Sequence, residues 1–512
     1  MRPLRPPTTF DPVVGRRFVL EVDRRLERID RNILRAEWDL SVGASSEGSD
    51  RWQLRRAELL SDPDLLEWVR RALRRPWSAP IHRRLQLLER ILLDARVEQL
   101  PEVVRLRGEL QRRITEFRPR WKGRRVGRGV VDRIARESPR PRERQAAYYS
   151  LEPLHRPMEE SLRRLVRLRN DGARALGFRS YAEMRLGFLG LTPSRLDELA
   201  EEAVVPARAQ LKDLKASFED AAGGRGWHPW DLPFARRLGV PLPERAFSRA
   251  RMMERVLAAV GAWGFRTDRM RFRVVFHDLP SGGMTLAPDP PRDVRIQVHP
   301  AGGWMAYVVL FHEVGHAVHS ASIRAPRHLL RWHENVPGFG AFHEGIGGLF
   351  EEIPCEPAWL ERLPGIDPER ARAFADRAHR TGAIDAAWHA SWIRVEQALY
   401  RDPERDPMPA SMRWTRRVFG YDAFDPLSFV DPFFVDLPVY APNYLLAMLF
   451  GAQVRATLRR RFGDPVWPNR SVGPWLTRHW LAPGSTFDWL ERLKETTGRG
   501  LGAAAFRAEF AH

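Results

Sequence analysis

The segment Trp304–Ser320, WMAYVVLFHEVGHAVHS, constrains the chain more than any other stretch. Seven apolar residues, Met305–Phe311, lead into His-Glu-Val-Gly-His. On a helix, His312 and His316 stand four residues apart and project from one face, close enough to share a metal ion. The apolar lead-in needs burial, so the helix must be walled in by other elements that also bring the remaining ligand to that face.

Two neutral imidazoles and a carboxylate suit zinc, with a fourth position left to water. The pattern predicts one Zn2+ per chain. Glu313 follows the first histidine and lies beside the open position, placed as a general base that takes a proton from water and later passes it to a leaving amine. Two downstream carboxylates can complete the set, Glu334 in RWHENVPG and Glu344 in GFGAFHEGIGGLFEE. Glu344 is favoured, because its segment starts a helix after Pro337-Gly338 and can face the first helix. His319 and His343 are expected to orient a ligand or to pack. An HExxH pattern also arises on amphipathic helices with two surface histidines, but the apolar flanks, Gly315 and a preceding strand argue against that here.

The rest of the chain reads as mainly α. Apolar residues recur at helical spacing from about Pro12 to Trp38, through Asp62–Arg74, from Pro80 to Arg118, and from about Arg142 to Leu186. Thr192-Pro193 opens a further helix that Gly223-Gly224 closes. Only Arg271 to Val298 alternates at period two, which predicts a small β-element just before the metal motif. The expected division is a helical N-terminal lobe, residues 1–265, and a catalytic lobe with C-terminal helices, residues 266–512, together one peptidase unit.

Composition narrows the function classes. Hydrophobic residues are 43% and charged residues 29%, with 18 Trp and 26 Phe, the balance of a folded protein. No stretch approaches the roughly 18 apolar residues of a membrane span, and the N-terminus lacks an apolar targeting core. A single cysteine, Cys355, leaves no internal disulfide and no thiolate zinc site, so a cytoplasmic location is expected. The net charge of +19 comes almost wholly from Arg, with only four Lys in the chain. The densest basic stretch, Arg118 to Arg128, fits the basic stripe with interleaved aromatics of a nucleic-acid face only loosely, so nucleic acid is not the expected main partner. Oligomeric state is not legible.

Several segments together resemble known zinc peptidases. HEVGHAVH with VHPAGGWMAYVVLF before it resembles the thimet oligopeptidase and oligopeptidase F family. PGFGAFHEGIGG is similar to the third-ligand segment of the angiotensin-converting enzyme family. LRAEWDLSVGASSE, LVRLRNDGARALGFRSYAEMRL and LPVYAPNYLLAMLFGAQV are similar to helical segments of the same clan. This resemblance implies a two-lobed helical ellipsoid with a deep central channel, zinc on its floor, and short unfolded peptides as substrates. It further implies a strand beside the metal that pairs with substrate backbone. Here that strand is Ser281–Ala287, where Gly282 and Gly283 allow close approach; an ordinary turn accounts for the two glycines equally well. Hydroxyl donors for the oxyanion map to Tyr440 and Tyr444, whose alternative is a packed aromatic ridge.

Two departures stand out. The family carries a histidine shortly before the first tyrosine, and DPFFVDLPVY, residues 431–440, has none. The angiotensin-converting enzyme pattern places an Asp four residues after the ligand Glu, where this chain has Gly348. Glu351, Glu352 and Asp436 are the carboxylates that could compensate. The expected activity is zinc-dependent hydrolysis of peptide bonds, of oligopeptidase or peptidyl-dipeptidase type. The departures motivate the alternative, a catalytically weakened peptide-binding protein on the same fold.

Overall fold

A computed structural model describes residues 4–43, 49–222, 226–236, 241–277, 282–299, 302–331, 336–421 and 432–511. Helices dominate, as the periodicity predicts. The first, α1 (Pro12–Ser41), starts where the Asp11 carboxylate accepts from the backbone N–H of Val13 and Val14, with Pro12 in the first turn. Its apolar stripe, Phe18 to Trp38, is buried, and two carboxylates on it are buried as well. Asp23 accepts from Arg84 on α2 (Ala79–Glu98) at 2.8 Å and from the backbone of Leu329 at 2.9 Å. Asp30 meets Arg56 at 2.8 Å and His328 at 3.0 Å. Buried charges persist only when paired, so these contacts fix how the first helix lies against the rest of the chain.

The run expected as one helix from Pro80 to Arg118 is two, because Pro101 cannot continue the hydrogen-bond ladder and opens α3 (Pro101–Glu116) instead. The stretch from Arg142 to Leu186 divides likewise, and its longest piece is α4 (Glu152–Ala175). A helix at Ser49–Leu60 and a two-residue-per-strand hairpin near Trp121 were not legible from periodicity. The helix opened by Thr192-Pro193 is α5 (Pro193–Ala221), with the Thr192 hydroxyl accepting from the Arg195 N–H.

The alternating stretch forms three strands, β1 (Phe272–Phe276), β2 (Gly283–Asp289) and β3 (Asp293–Val298). Their order is β1-β3-β2, with β1 parallel and β2 antiparallel to the central β3, so β2 is an edge. The metal-motif helix α6 (Trp304–Ser322) follows and packs between this sheet and α7 (Gly340–Glu351). Beyond them lie α8 (Ile384–Arg401), α9 (Met408–Phe419) and α10 (Ala441–Phe462), the last lying along α7. One hydrophobic core runs from Phe18 to Phe506 and crosses residue 265 without interruption. No helix among the described residues is long and apolar enough to cross a membrane.

Candidate metal centre

Nearly every side chain of α6 from Leu310 onward is buried, which removes the freedom that a surface helix would leave its histidines. Across from it, α7 comes unusually close. A Cβ on Gly315 would stand 3.1 Å from the Cα of Gly347, and one on Gly347 would stand 2.7 Å from Cε1 of His312. Both glycines are therefore needed for the contact, and the contact sets Glu344 against the two histidines. The Nε2 atoms of His312 and His316 lie 2.8 Å apart, and Glu344 Oε2 lies 3.3 Å from the first and 3.9 Å from the second. One donor atom from each residue falls within 4.8 Å of the others. Glu334, the other candidate, lies outside the described residues.

The surroundings suit a cation. Burial works against a charge on His312, but the Glu351 and Glu344 carboxylates beside it overcome that and raise its proton affinity well above the usual imidazole range. His316 goes the other way, lowered by burial and by His343 and His312 next to it. Its ring stacks on His343 with centroids 3.8 Å apart, and Nδ1 has no hydrogen-bond partner among the described residues. The carboxylates beside His312 supply the negative charge that a divalent ion held there would neutralise. The donor set, two imidazole nitrogens and one carboxylate oxygen, fits zinc with a position to spare.

Glu313 leaves the ligand face and turns toward the sheet. Its Oε2 accepts a 2.7 Å hydrogen bond from Thr285 Oγ1, whose hydroxyl also lies 2.9 Å from the Glu313 carbonyl. Burial pushes the Glu313 carboxyl up to about 7, the range in which a group both takes and returns a proton near neutrality. Thr285 sits on β2, and Gly283 two residues earlier clears the same space: a Cβ there would stand 2.6 Å from Glu313 Cγ. Gly283 thus makes room for the Glu313 side chain, a closer constraint than a turn imposes. Gly282 has φ +65° and open space around it, and its carbonyl accepts from the His299 N–H.

Tyr440 reaches the same place, and Tyr444 packs against it. The Tyr440 hydroxyl donates to Glu344 Oε1 at 2.6 Å, so it holds the carboxylate oxygen that points away from the two histidines. The two tyrosine rings meet edge to face at 5.4 Å. Tyr440 is aimed by an unusual backbone. Val439, a β-branched residue, has φ +56°, and its N–H is captured at 2.6 Å by the buried Glu396 of α8. Further back, Arg169 of α4 donates to the carbonyls of Phe434 and Val435 while paired with Glu98 at 2.7 Å.

Sequence reasoning missed His389, Thr285, Glu396 and Arg169. His389, on α8, stacks on Tyr444 with centroids 5.0 Å apart and planes 19° from parallel. Its Nδ1 has no partner among the described residues, and burial lowers its proton affinity. It occupies the neighbourhood of the tyrosines from another helix, which is why inspecting residues 431–440 could not find it. The position of the absent Asp, Gly348, is open, and Glu351 instead approaches His312 Nδ1 at 2.9 Å. Glu352 pairs with Arg455 at 3.0 Å. His319 is buried edge-on to Phe342, a packing position.

No protein-family profile and no curated protein matches the sequence. Solved structures do. A carboxypeptidase of Pyrococcus furiosus superposes with a TM-score of 0.68 at 16% identity, covering 99% of each chain. Metallocarboxypeptidase 1 of Trypanosoma cruzi gives 0.68 at 16%, covering 96% of this chain and 99% of its own. This chain shares their fold. The likeness extends over both halves of the sequence, so the helical architecture belongs to one known arrangement.

Proposed function

We propose that the protein is a zinc-dependent peptidase. The observation that carries this reading is the convergence of His312, His316 and Glu344 beside a buried carboxylate, Glu313, whose orientation Thr285 fixes. His312, His316 and Glu344 would hold the ion. When bound, zinc supplies Lewis-acid polarisation of the scissile carbonyl and acidifies water. Glu313, with Oε2 committed to Thr285, has Oε1 left to accept a proton and return it to the leaving amine. Glu351 orients the His312 ring, and Tyr440 steadies Glu344, the supporting contacts that metal ligands need. His389, stacked on Tyr444, is the histidine we assign to the tyrosines in place of the one that residues 431–440 lack. That contact favours an active enzyme over a weakened binding protein.

The two structural neighbours are named for removing C-terminal residues, and we favour that mode for this chain. Oligopeptidase or peptidyl-dipeptidase cleavage is the alternative. Short unfolded peptides are the substrates in each case, and β2, as a sheet edge with Gly282 and Gly283 at its start, is where their backbone would pair. The test is zinc content and peptide cleavage for wild type and Glu313→Gln. Zinc near one per chain in both is expected, with turnover falling about 10³-fold in the variant, the scale of general acid–base catalysis. Mass spectra of products decide the mode: single-residue losses that vanish with C-terminally amidated peptides indicate a carboxypeptidase. Dipeptide release or internal cuts indicate the alternative, and zinc-free protein would sink the assignment.

A further inference from the structure

The fold gathers the basic stretch that begins at Arg118 into one module. Residues 118–142 hold ten Arg and Lys against two Asp and Glu, in a chain whose whole net charge is +19. All ten are exposed. The hairpin strands Arg120–Trp121 and Arg124–Arg125 set Arg120 directly opposite Arg125, and like charges so placed work against the pairing. Its turn is Lys122-Gly123, where Lys122 takes φ +47°, a costly conformation for a residue with a Cβ. Glu143 pairs with Lys122 and with Arg140, each at 3.3 Å. Arg120, Arg124, Arg125 and Arg133 have no carboxylate partner among the described residues. Trp121 and Val126 pack with Val131, Ala147 and Leu151 in a small apolar cluster that holds the hairpin to helices Arg128–Glu137 and Pro141–Tyr149.

Its place sets this module apart from the arginines scattered over the rest of the surface. Arg144, buried on helix Pro141–Tyr149, meets Asp231 at 2.6 Å and stands over the Phe234 ring at 4.4 Å. Helix Arg128–Glu137 packs on Leu232–Ala235. The next residue, Arg236, grips Asp385 of α8 through two hydrogen bonds, of 2.7 and 2.9 Å. Both side chains are part-exposed, yet burial opposes the charge on each, so they line a recess rather than an outer face. Asp385 lies one helical turn before His389, which stacks on Tyr444 and feels the charges of Asp385 and of Glu344 and Glu351 at the metal centre. The basic module therefore stands at one end of a run of contacts, through Arg236, Asp385, His389 and Tyr444, that ends at the metal ligands.

We infer that this module captures acidic peptides for the metal centre, holding carboxylates remote from the scissile bond on Arg120, Arg124, Arg125 and Arg133. Guanidinium groups match carboxylates through paired hydrogen bonds, and a concentrated field of one sign speeds the arrival of substrates of the other. The inference rests on the peptidase reading and names its substrate class. Its test is cleavage, by the zinc-loaded full chain, of peptides of one sequence whose residues remote from the cleaved bond are Glu, Gln or Lys. At low ionic strength kcat/KM for the Glu peptide should exceed that for the Gln peptide about tenfold, with the Lys peptide lowest, and sodium chloride should shrink the difference. Arg120→Gln/Arg124→Gln/Arg125→Gln should erase most of that preference by raising KM for the Glu peptide, without change in melting temperature. Arg16→Gln/Arg17→Gln/Arg28→Gln, which removes equal charge from exposed positions on α1, should keep it. No preference in the wild type, or equal loss in both variants, overturns the inference. Fluorescence anisotropy of the same peptides on Glu313→Gln separates it from the reading it rests on: acid-selective binding there, with no turnover by the wild type, sinks the peptidase and keeps the capture site. A hairpin-dependent hold on RNA, with no hairpin-dependent preference among the peptides, overturns the inference in favour of a nucleic-acid face.

Discussion

His312, His316 and Glu344 come from two helices that touch at Gly315 and Gly347, and the spacing of residues along each helix does most of the positioning. Tyr440 reaches Glu344 differently. It depends on Arg169 and Glu98, on Glu396, and on a valine held at positive φ, residues scattered from α2 to the turn before α10. One half of the site is thus set by local geometry and close packing, the other by buried charges acting over long sequence separations. The first kind of construction tolerates change anywhere outside its contact surface. The second fails when any one clamp is lost.

The largest test of that contrast removes the clamp. Arg169 carries Glu98 and two backbone carbonyls at once, and it is wholly buried. Arg169→Met strips the two carbonyls of their donor and leaves Glu98 only Arg107, at 2.9 Å, and breaking a buried pair from one side costs about 3–5 kcal/mol. Chemical denaturation should show that loss. Zinc affinity, measured by chelator competition, should fall as well, because Tyr440 would no longer be aimed. A variant that loses stability yet holds zinc with unchanged affinity would break the comparison, since the two halves would then be independent.

Tyr440→Phe removes a single hydroxyl from the far side of the same contact. Supporting hydrogen bonds to metal ligands are worth about 10–100-fold in affinity, and the expected weakening of zinc lies in that range. Combined with Arg169→Met, the two effects on zinc should not add, because both act through one hydrogen bond. Additive losses would show that Arg169 reaches the metal centre by another route.

The same contrast explains what could be read without a structure. The ligand half was legible because His312, Glu313 and His316 are neighbours in sequence, and Glu344 follows a Pro-Gly helix start. The mainly helical class was legible from periodicity alone. His389 was not, because a histidine in IDAAWHASWIRVEQALYR carries no mark of the tyrosine that stacks on it from another helix. Thr285 looks like any strand threonine until Glu313 is placed beside it. Glu351 was named among three candidate carboxylates, and only the pitch of α7 distinguishes it, two turns beyond Glu344 on the same face. Helix breaks at Pro101 were blurred because apolar spacing continues across them.

Val439 offers a smaller and cleaner probe. Its strained backbone costs on the order of 1–3 kcal/mol, and the Glu396 carboxylate offsets that by accepting its N–H. Glu396→Ala should destabilise by about 1–3 kcal/mol, the cost of an unmet buried donor. Val439→Gly in that background should recover part of the loss, since glycine adopts positive φ without a steric penalty. Urea midpoints for wild type, Glu396→Ala and the double variant decide it. No recovery would mean that Glu396 acts through its other surroundings rather than by holding this residue.

The last test uses acid. Burial opposes the charge on Glu98, but Arg169, Arg107 and Arg185 outweigh it and hold its carboxyl below the usual range. The unfolded chain therefore binds more protons at this residue than the folded one. Stability from the pair is complete above the unfolded value, about 4.3, and is lost as pH falls through the lower folded value. In Arg169→Met the strongest of those charges is gone, so less stability hangs on the ionised Glu98, and the wild type should lose more than the variant as pH falls. The measurement is the difference in unfolding free energy between wild type and variant from pH 6 to pH 3. A gap that narrows toward low pH supports a charge clamp on the tyrosine half; a constant gap would show that Arg169 contributes there by packing and carbonyl contacts alone.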